Sequence, residues 1–301
     1  MKKVLVVVGP TAVGKTKISI EIAKKYGLEI INADSVSVYK ELNIGSAKPT
    51  VEEMDGVKHY LIDILNPNDI YSVADFQKDA RRIIDSSDEI KLICGGTGLY
   101  TQAVLFNYEF EAKERDFSFE DKYKDYNNNE LYNLLLERDP NLDKEKIHPN
   151  NRKRVLRALE VLEETSKSIQ SFNKKNEALY DYFIVYLSME RDLLYERINK
   201  RVDIMFDMGL EKEVKDLYDR NIMPHAIGYK EFIPYFLGQE DLNTVKENIK
   251  KNTRHLAKRQ ETWFRNQMTT HFYDVDINDI NRTIDEIRKD IDRWIKKWNY
   301  I

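Results

Sequence analysis

Cysteine is nearly absent from this chain: Cys94 is the only one in 301 residues. No internal disulfide can form, so a reducing cytoplasm is the expected compartment. Long apolar runs are also missing. The run Val4 to Val8 falls far short of the ~20 residues that span a bilayer, so no membrane partner is expected. Met1-Lys2-Lys3 leads directly into that run, which leaves no room for a secretory signal there. There is no excess of positive charge, since the net charge is -4. That argues mildly against a nucleic-acid binder, although a local patch, not the total, does the binding. No internal repeat and no low-complexity tract is visible. What remains is 42% hydrophobic and 33% charged, a globular balance with material for a buried core.

The N-terminal third alternates between two periods. Val4 to Val8 is β-branched and continuously apolar, the mark of a strand buried on both faces. Ile18, Ile22 and Tyr26 recur at helical spacing, and Gly27 stops the helix. Glu29 to Ala33 reads as a second strand and Tyr60 to Leu65 as a third. Val73 to Ile84 reads as an amphipathic helix, and Lys91 to Cys94 as a strand ending in Gly95-Gly96. Strand–helix alternation implies a parallel sheet with crossover helices. From about Phe110 to Tyr182 only helices and loops are expected, the clearest being Asn151 to Glu163. Phe183 to Leu187 and His271 to Val275 return as strands. Thr244 to Arg265 is a long helix with Leu256, Trp263 and Phe264 on its apolar side, and Ile284 to Trp298 closes the chain. The expected fold is α/β: a P-loop NTPase-like parallel sheet with helices on both faces (residues 1–110 and 181–301) and a helical insertion domain (residues 111–180). Cys94 is expected to be a small buried hydrophobe at a strand end.

Gly9-Pro10-Thr11-Ala12-Val13-Gly14-Lys15-Thr16 matches GxxxxGK[ST] between a strand and a helix, the context that gives the motif its meaning. Glycines let the backbone turn its N–H groups inward, and the helix N-terminus completes an anion site. Lys15 supplies a point charge, and the Thr16 hydroxyl can coordinate Mg2+. The motif specifies phosphate, not which phosphate. The NKxD motif that reads guanine is absent, and the strand Lys91 to Cys94 ends in Gly95-Gly96-Thr97-Gly98 instead of an acidic metal ligand. Asp34, after the second strand, falls beyond a carboxyl edge where ligands bind in open parallel sheets. A carboxylate beside an anion caps the following helix, holds metal or takes a proton.

Two basic runs stand out in this acidic chain. Residues 246–265 carry seven Lys or Arg and two Glu, and Lys251, Arg254 and Lys258 share one helix face. Lys146, Arg152, Lys153, Arg154 and Arg157 surround His148. Both runs fit phosphate contacts.

With Asn32-Ala33-Asp34-Ser35-Val36-Ser37-Val38-Tyr39-Lys40 beside the P-loop, the sequence closely resembles bacterial tRNA dimethylallyltransferases, also called tRNA isopentenyltransferases. Supporting segments are Ile44 to Pro49, Tyr71 to Phe76, Gly95 to Tyr100, Ile147 to Asn150, Arg157 to Glu160, Ile227 to Lys230 and Leu256 to Gln260. Only Glu111 to Lys146 matches weakly. The resemblance implies transfer of a dimethylallyl group from dimethylallyl pyrophosphate to N6 of the adenosine 3′ of the anticodon, in tRNAs that read codons starting with U. It implies that Gly9 to Thr16 hold pyrophosphate, with Mg2+ on Thr16. Asp34 then takes the N6 proton, and Arg201, Lys15 and Thr97 complete the catalytic set. The tRNA anticodon stem-loop is expected on Asp34, Ser35, Val36, Ser37, Thr97, Lys153, Arg154, Arg157, Gly228, Tyr229, Lys230, Arg254 and Lys258, within loops that include His225 to Lys230. A monomer is expected. The rival readings are a P-loop small-molecule kinase and a non-catalytic RNA-binding module.

Overall fold

The computed structural model describes residues 1–108, 110, 117–172 and 177–296. The expected end of the last helix at Trp298, and residues 111–116 at the start of the expected insertion domain, lie outside them. The chain forms two compact units, Met1–Leu105 with Tyr180–Ile301, and Phe106–Leu179.

The larger unit opens with β1 (Lys3–Val8), α1 (Lys15–Tyr26), β2 (Glu29–Asn32), α2 (Val51–Met54), β3 (His59–Tyr60), α3 (Val73–Asp85), β4 (Lys91–Gly95) and α4 (Gly98–Leu105). The smaller unit holds α5 (Asn128–Arg138), α6 (Arg152–Thr165) and α7 (Ile169–Phe172). The larger unit resumes with β5 (Asp181–Ser188), α8 (Arg191–Asp207), α9 (Leu210–Tyr218), α10 (Ile233–Phe236), α11 (Leu242–Gln267), β6 (His271–Asp274) and α12 (Ile280–Lys296).

The six strands form one sheet in the order β3-β2-β4-β1-β5-β6, and every pairing is parallel. β1 lies between β4 and β5 and is buried along nearly its whole length, as its unbroken apolar run requires. Alternation along the strands divides the core. Leu5, Val7, Leu92, Val185 and Leu187 join Ile18 and Ile22 of α1, Leu194 and Ile198 of α8 and Ile284, Ile287 and Ile291 of α12. Residues of opposite parity face the other layer, where Tyr186 of β5 meets Phe264 of α11 with ring centroids 5.6 Å apart. On that layer Phe76 of α3 stacks on Tyr100 of α4 at 4.2 Å.

Tyr60 to Leu65 does not continue as a strand. β3 is only His59–Tyr60, because Leu61 and Asp63 adopt φ of 62° and 54°, a left-handed conformation that ends extended pairing. The other strands and long helices lie where the hydrophobic periods place them, with ends shifted by a few residues. α1 stops at Gly27, whose φ of 65° lets its N–H bond to the Ala23 carbonyl. α3 starts at a reciprocal Ser72–Asp75 capping box.

The smaller unit has its own apolar cluster, formed by Tyr123, Leu131, Leu135, Leu142, Ile147, Val155, Leu156 and Leu159. Among the described residues, no helix is long and apolar enough to cross a membrane.

Candidate active site

Parallel strands deliver their carboxyl ends to one edge of the sheet. At that edge, the segment after β1 turns through Ala12 at φ 65° and Gly14 at φ 111°. Gly14 is the N-cap of α1 and gives it no side-chain cap. The first N–H groups of that helix are therefore left for an anion. Lys15 folds back over the loop, its Nζ donating to the carbonyls of Gly9 at 3.0 Å and Pro10 at 2.8 Å. Burial pushes the Lys15 ammonium down to about 8, helped by the charge of Arg201 and opposed by Cys94 and Asp34. An arriving anion offers this ammonium the partner that the loop carbonyls supply only in part. Thr16 is exposed at the start of α1, and its hydroxyl makes no hydrogen bond among the described residues.

Arg201 of α8 reaches the same loop. Its Nη1 lies 3.3 Å from the Thr11 hydroxyl, and its Nη2 lies 3.4 Å from the Ala47 carbonyl. Burial lowers its pKa, and Asp34 and Glu53 oppose that shift. One helical turn earlier, Arg197 donates to the Ala12 carbonyl at 2.9 Å. Two arginines of α8 thus grip the phosphate loop, although only Arg201 was expected there. Arg197 sits four residues before Arg201 on the same helix face, and that spacing was the available signal.

Asp34 follows β2 and is half-buried. No helix begins at Asp34. Its Oδ1 accepts from the backbone N–H of Val36 at 2.8 Å and of Ser37 at 3.2 Å, which closes an Asx turn. Its Oδ2 takes no hydrogen bond among the described residues. Ser35 is exposed, Val36 half-buried and Ser37 buried. Thr97 immediately precedes α4, and its carbonyl accepts from the Thr101 N–H at 3.3 Å. Cys94 packs against the core, and burial raises its thiol pKa, so it is an inert structural cysteine.

Several expected RNA-facing residues are held inside. Tyr229 is fully buried in the cluster formed by α8, α9 and α11. Its hydroxyl donates to Glu213 Oε1 at 2.8 Å, and its ring lies against Gly45, where a Cβ would come within 2.6 Å of it. Tyr229 therefore supports the segment Asn43 to Ala47 instead of facing an RNA. Gly228 is buried too, its N–H donating to Glu231 at 2.9 Å, while Lys230 is exposed. The carboxylate of Glu213 also accepts from the backbone N–H groups of Asn43, Ile44 and Gly45 at 2.8 to 3.1 Å. No sequence signal marked Glu213, because its partners lie about 170 residues away. The motifs Ile44 to Pro49 and Ile227 to Lys230 thus meet through Glu213 and Tyr229.

The basic runs divide into paired and unpaired charges. On α11, Lys246 and Lys250 both reach Asp203 at 2.9 Å, and Arg265 reaches Glu261 at 3.0 Å. Lys251 and Lys258 are exposed. Arg254 donates to the neutral Asn199 amide oxygen at 2.6 Å and forms no ion pair among the described residues. In the smaller unit Arg157 is paired with the buried Glu160 at 2.7 Å, and Arg152 donates to the carbonyls of Tyr123 and Tyr126. These two arginines hold the unit together. Lys153 and Arg154 remain exposed.

The parallel sheet, the strand–loop–helix anion cradle and the arginines over it define a P-loop α/β enzyme. Residues 37–267 match the family model described as IPP transferase. The chain belongs to that family and is a transferase. It is 44% identical to the tRNA dimethylallyltransferase of Enterococcus faecalis over 99% of both chains. It is 44% identical to that of Oceanobacillus iheyensis over 96% of both. Among solved structures, the tRNA isopentenylpyrophosphate transferase of Bacillus halodurans superimposes with a TM-score of 0.74 at 40% identity, covering 99% of this chain and 98% of the other. A eukaryotic dimethylallyltransferase described as acting on tRNA gives a TM-score of 0.77 at 30% identity, covering 91% of this chain and 74% of the other.

Proposed function

We propose that this enzyme transfers a dimethylallyl group from dimethylallyl pyrophosphate to N6 of the adenosine 3′ of the anticodon in tRNAs that read U-starting codons. Support comes first from the convergence of Lys15, Arg201 and Asp34 at the carboxyl edge of the sheet, where the charges of Arg201 and Asp34 act on Lys15 and that of Asp34 acts on Arg201. Two cations and a ring of N–H groups suit a pyrophosphate leaving group, and one carboxylate with a free oxygen suits a proton acceptor.

The bond between the allylic carbon and the pyrophosphate oxygen breaks, and its electrons leave with pyrophosphate. Lys15, Arg201 and the loop from Gly9 to Thr16 hold that developing charge. N6 of adenosine forms the new bond to carbon, and its proton passes to Asp34 Oδ2. The target base leaves its stack to reach this edge, with Thr97 beside it. The Thr16 hydroxyl, which makes no hydrogen bond among the described residues, is the group that would hold Mg2+. Such an ion would supply further neutralisation of the leaving group. The enzyme acts as a monomer in the cytoplasm. Ser35, Lys230, Arg254 and Lys258 of the larger unit contact tRNA, as do Lys153 and Arg154 of the smaller one.

Unmodified tRNA, Mg2+ and labelled dimethylallyl pyrophosphate should yield labelled N6-dimethylallyladenosine on nucleoside analysis. ATP turnover without tRNA, and no labelled nucleoside, would establish a small-molecule kinase instead.

A further inference from the structure

Leu256 to Gln260 is a motif to which the reaction above gives no task beyond the charge of Lys258. Gln260 is half-buried on α11, and its amide lies between two walls of the site. Its Oε1 accepts from the Thr11 N–H at 3.0 Å, and its Nε2 donates to the Gly96 carbonyl at 3.1 Å. The orientation of the amide is fixed by chemistry, since a backbone N–H only donates and a carbonyl only accepts. One end of this side chain therefore holds the entrance of the phosphate loop. The other holds the residue before Thr97. A Cβ on Gly96 would lie 2.3 Å from Gln260 Nε2, and one on Gly98 would lie 2.0 Å from the Trp263 ring. Both glycines flanking Thr97 are thus packed against side chains of α11.

We propose that Gln260 is a positioning residue for the transfer, fixing the distance between the pyrophosphate cradle and the Thr97 side of the site where the base docks. This rests on the function proposed above. Thr11 also carries the hydroxyl that Arg201 approaches, so the tie orders the same loop that meets the leaving group. A displacement of about 1 Å between reacting partners is enough to cost roughly 10²-fold in rate. Gln260 touches neither reacting atom, so its loss should lower the transfer rate while leaving tRNA affinity intact.

The test compares wild type, Gln260→Ala, Gly96→Ala and the double variant in single-turnover transfer to unmodified tRNA, with rates expressed per folded enzyme. Wild type comes first: if it makes no modified nucleoside, the function itself is refuted. With wild type active, Gln260→Ala should be slowed by about 10²-fold, with tRNA affinity within about 2-fold. Gly96→Ala pushes the amide out of place and should be similarly slow. The double variant should be no slower than either single one, because the same tie is lost only once. A wild-type rate in Gln260→Ala, or multiplicative losses in the double variant, would overturn the proposal. If Gln260→Ala does not fold, Gln260→Glu keeps the acceptor for Thr11 but sets an oxygen against the Gly96 carbonyl. It should be slow, and a wild-type rate would be equally fatal.

Discussion

Replacing Asp34 by Asn isolates the proposed proton transfer from the architecture around it. Asp34 Oδ1 accepts from Val36 and Ser37, and an Asn carbonyl oxygen makes the same two bonds. The turn should therefore survive, with a stability loss of about 1 kcal/mol or less from replacing a charged acceptor by a neutral one. The atom that changes is Oδ2, which becomes an amide nitrogen and can no longer take a proton. A general base typically contributes about 10²–10⁴-fold, equivalent to roughly 3–5 kcal/mol of barrier. Pyrophosphate affinity should hold or rise, because a carboxylate that shares a field with Lys15 and Arg201 has lost its charge. Asp34→Ala should be as slow and less stable, since it also loses the turn. The assay is single-turnover transfer across a Mg2+ titration, with pyrophosphate affinity measured by calorimetry. A metal-ligand role would show as weaker pyrophosphate binding rescued by extra Mg2+. A wild-type single-turnover rate in Asp34→Asn would refute the base assignment.

Burial sets the Lys15 pKa at about 8 in the free enzyme, so the ammonium is charged below that pH and loses its proton above it. Pyrophosphate affinity should therefore fall as pH rises from 7 to 9, with proton uptake on binding near pH 8; calorimetry in buffers of different ionisation heat reads both, and a flat profile would contradict it. On α11, Lys251→Ala or Lys258→Ala should each reduce the log–log salt slope of tRNA binding by roughly 0.7 to 0.9. Lys246→Ala and Lys250→Ala should leave it nearly unchanged, because Asp203 and Glu247 already compensate the two charges; equal slopes in all four would show that ion pairing does not sort this helix. Glu213→Ala strips the carboxylate from three backbone N–H groups and the Tyr229 hydroxyl. A hydrogen bond to a charged group contributes about 1.5–3 kcal/mol net, so urea unfolding should show a loss of at least about 2 kcal/mol, and a change under about 0.5 kcal/mol would deny the clasp.

What the sequence determined by itself is what depends on neighbours along the chain. The Val4 to Val8 run, the helical spacing through Ile18 and Ile22 and the stop at Gly27 are local, and the structure follows them. The loop from Gly9 to Thr16 is likewise a local device, since its glycines and the start of α1 build the cradle within eight residues. Local reading failed where a backbone detail overrode composition: Tyr60 to Leu65 looks extended, yet Leu61 and Asp63 turn left-handed. Tertiary structure alone decided the rest. The order β3-β2-β4-β1-β5-β6 brings Asp34 to the edge where the phosphate loop lies, and no period in the sequence specifies that order. Folding also sorted the charges. Lys246, Lys250 and Arg157 look like their exposed neighbours in sequence, but Asp203 and Glu160 engage them. Tyr229 reads as a loop aromatic and lies in the core beneath Glu213, while Gln260 meets partners 249 and 164 residues away. A hydrogen bond depends on distance in space, and a chain that returns to the same sheet edge from six parallel strands makes that distance independent of distance in sequence.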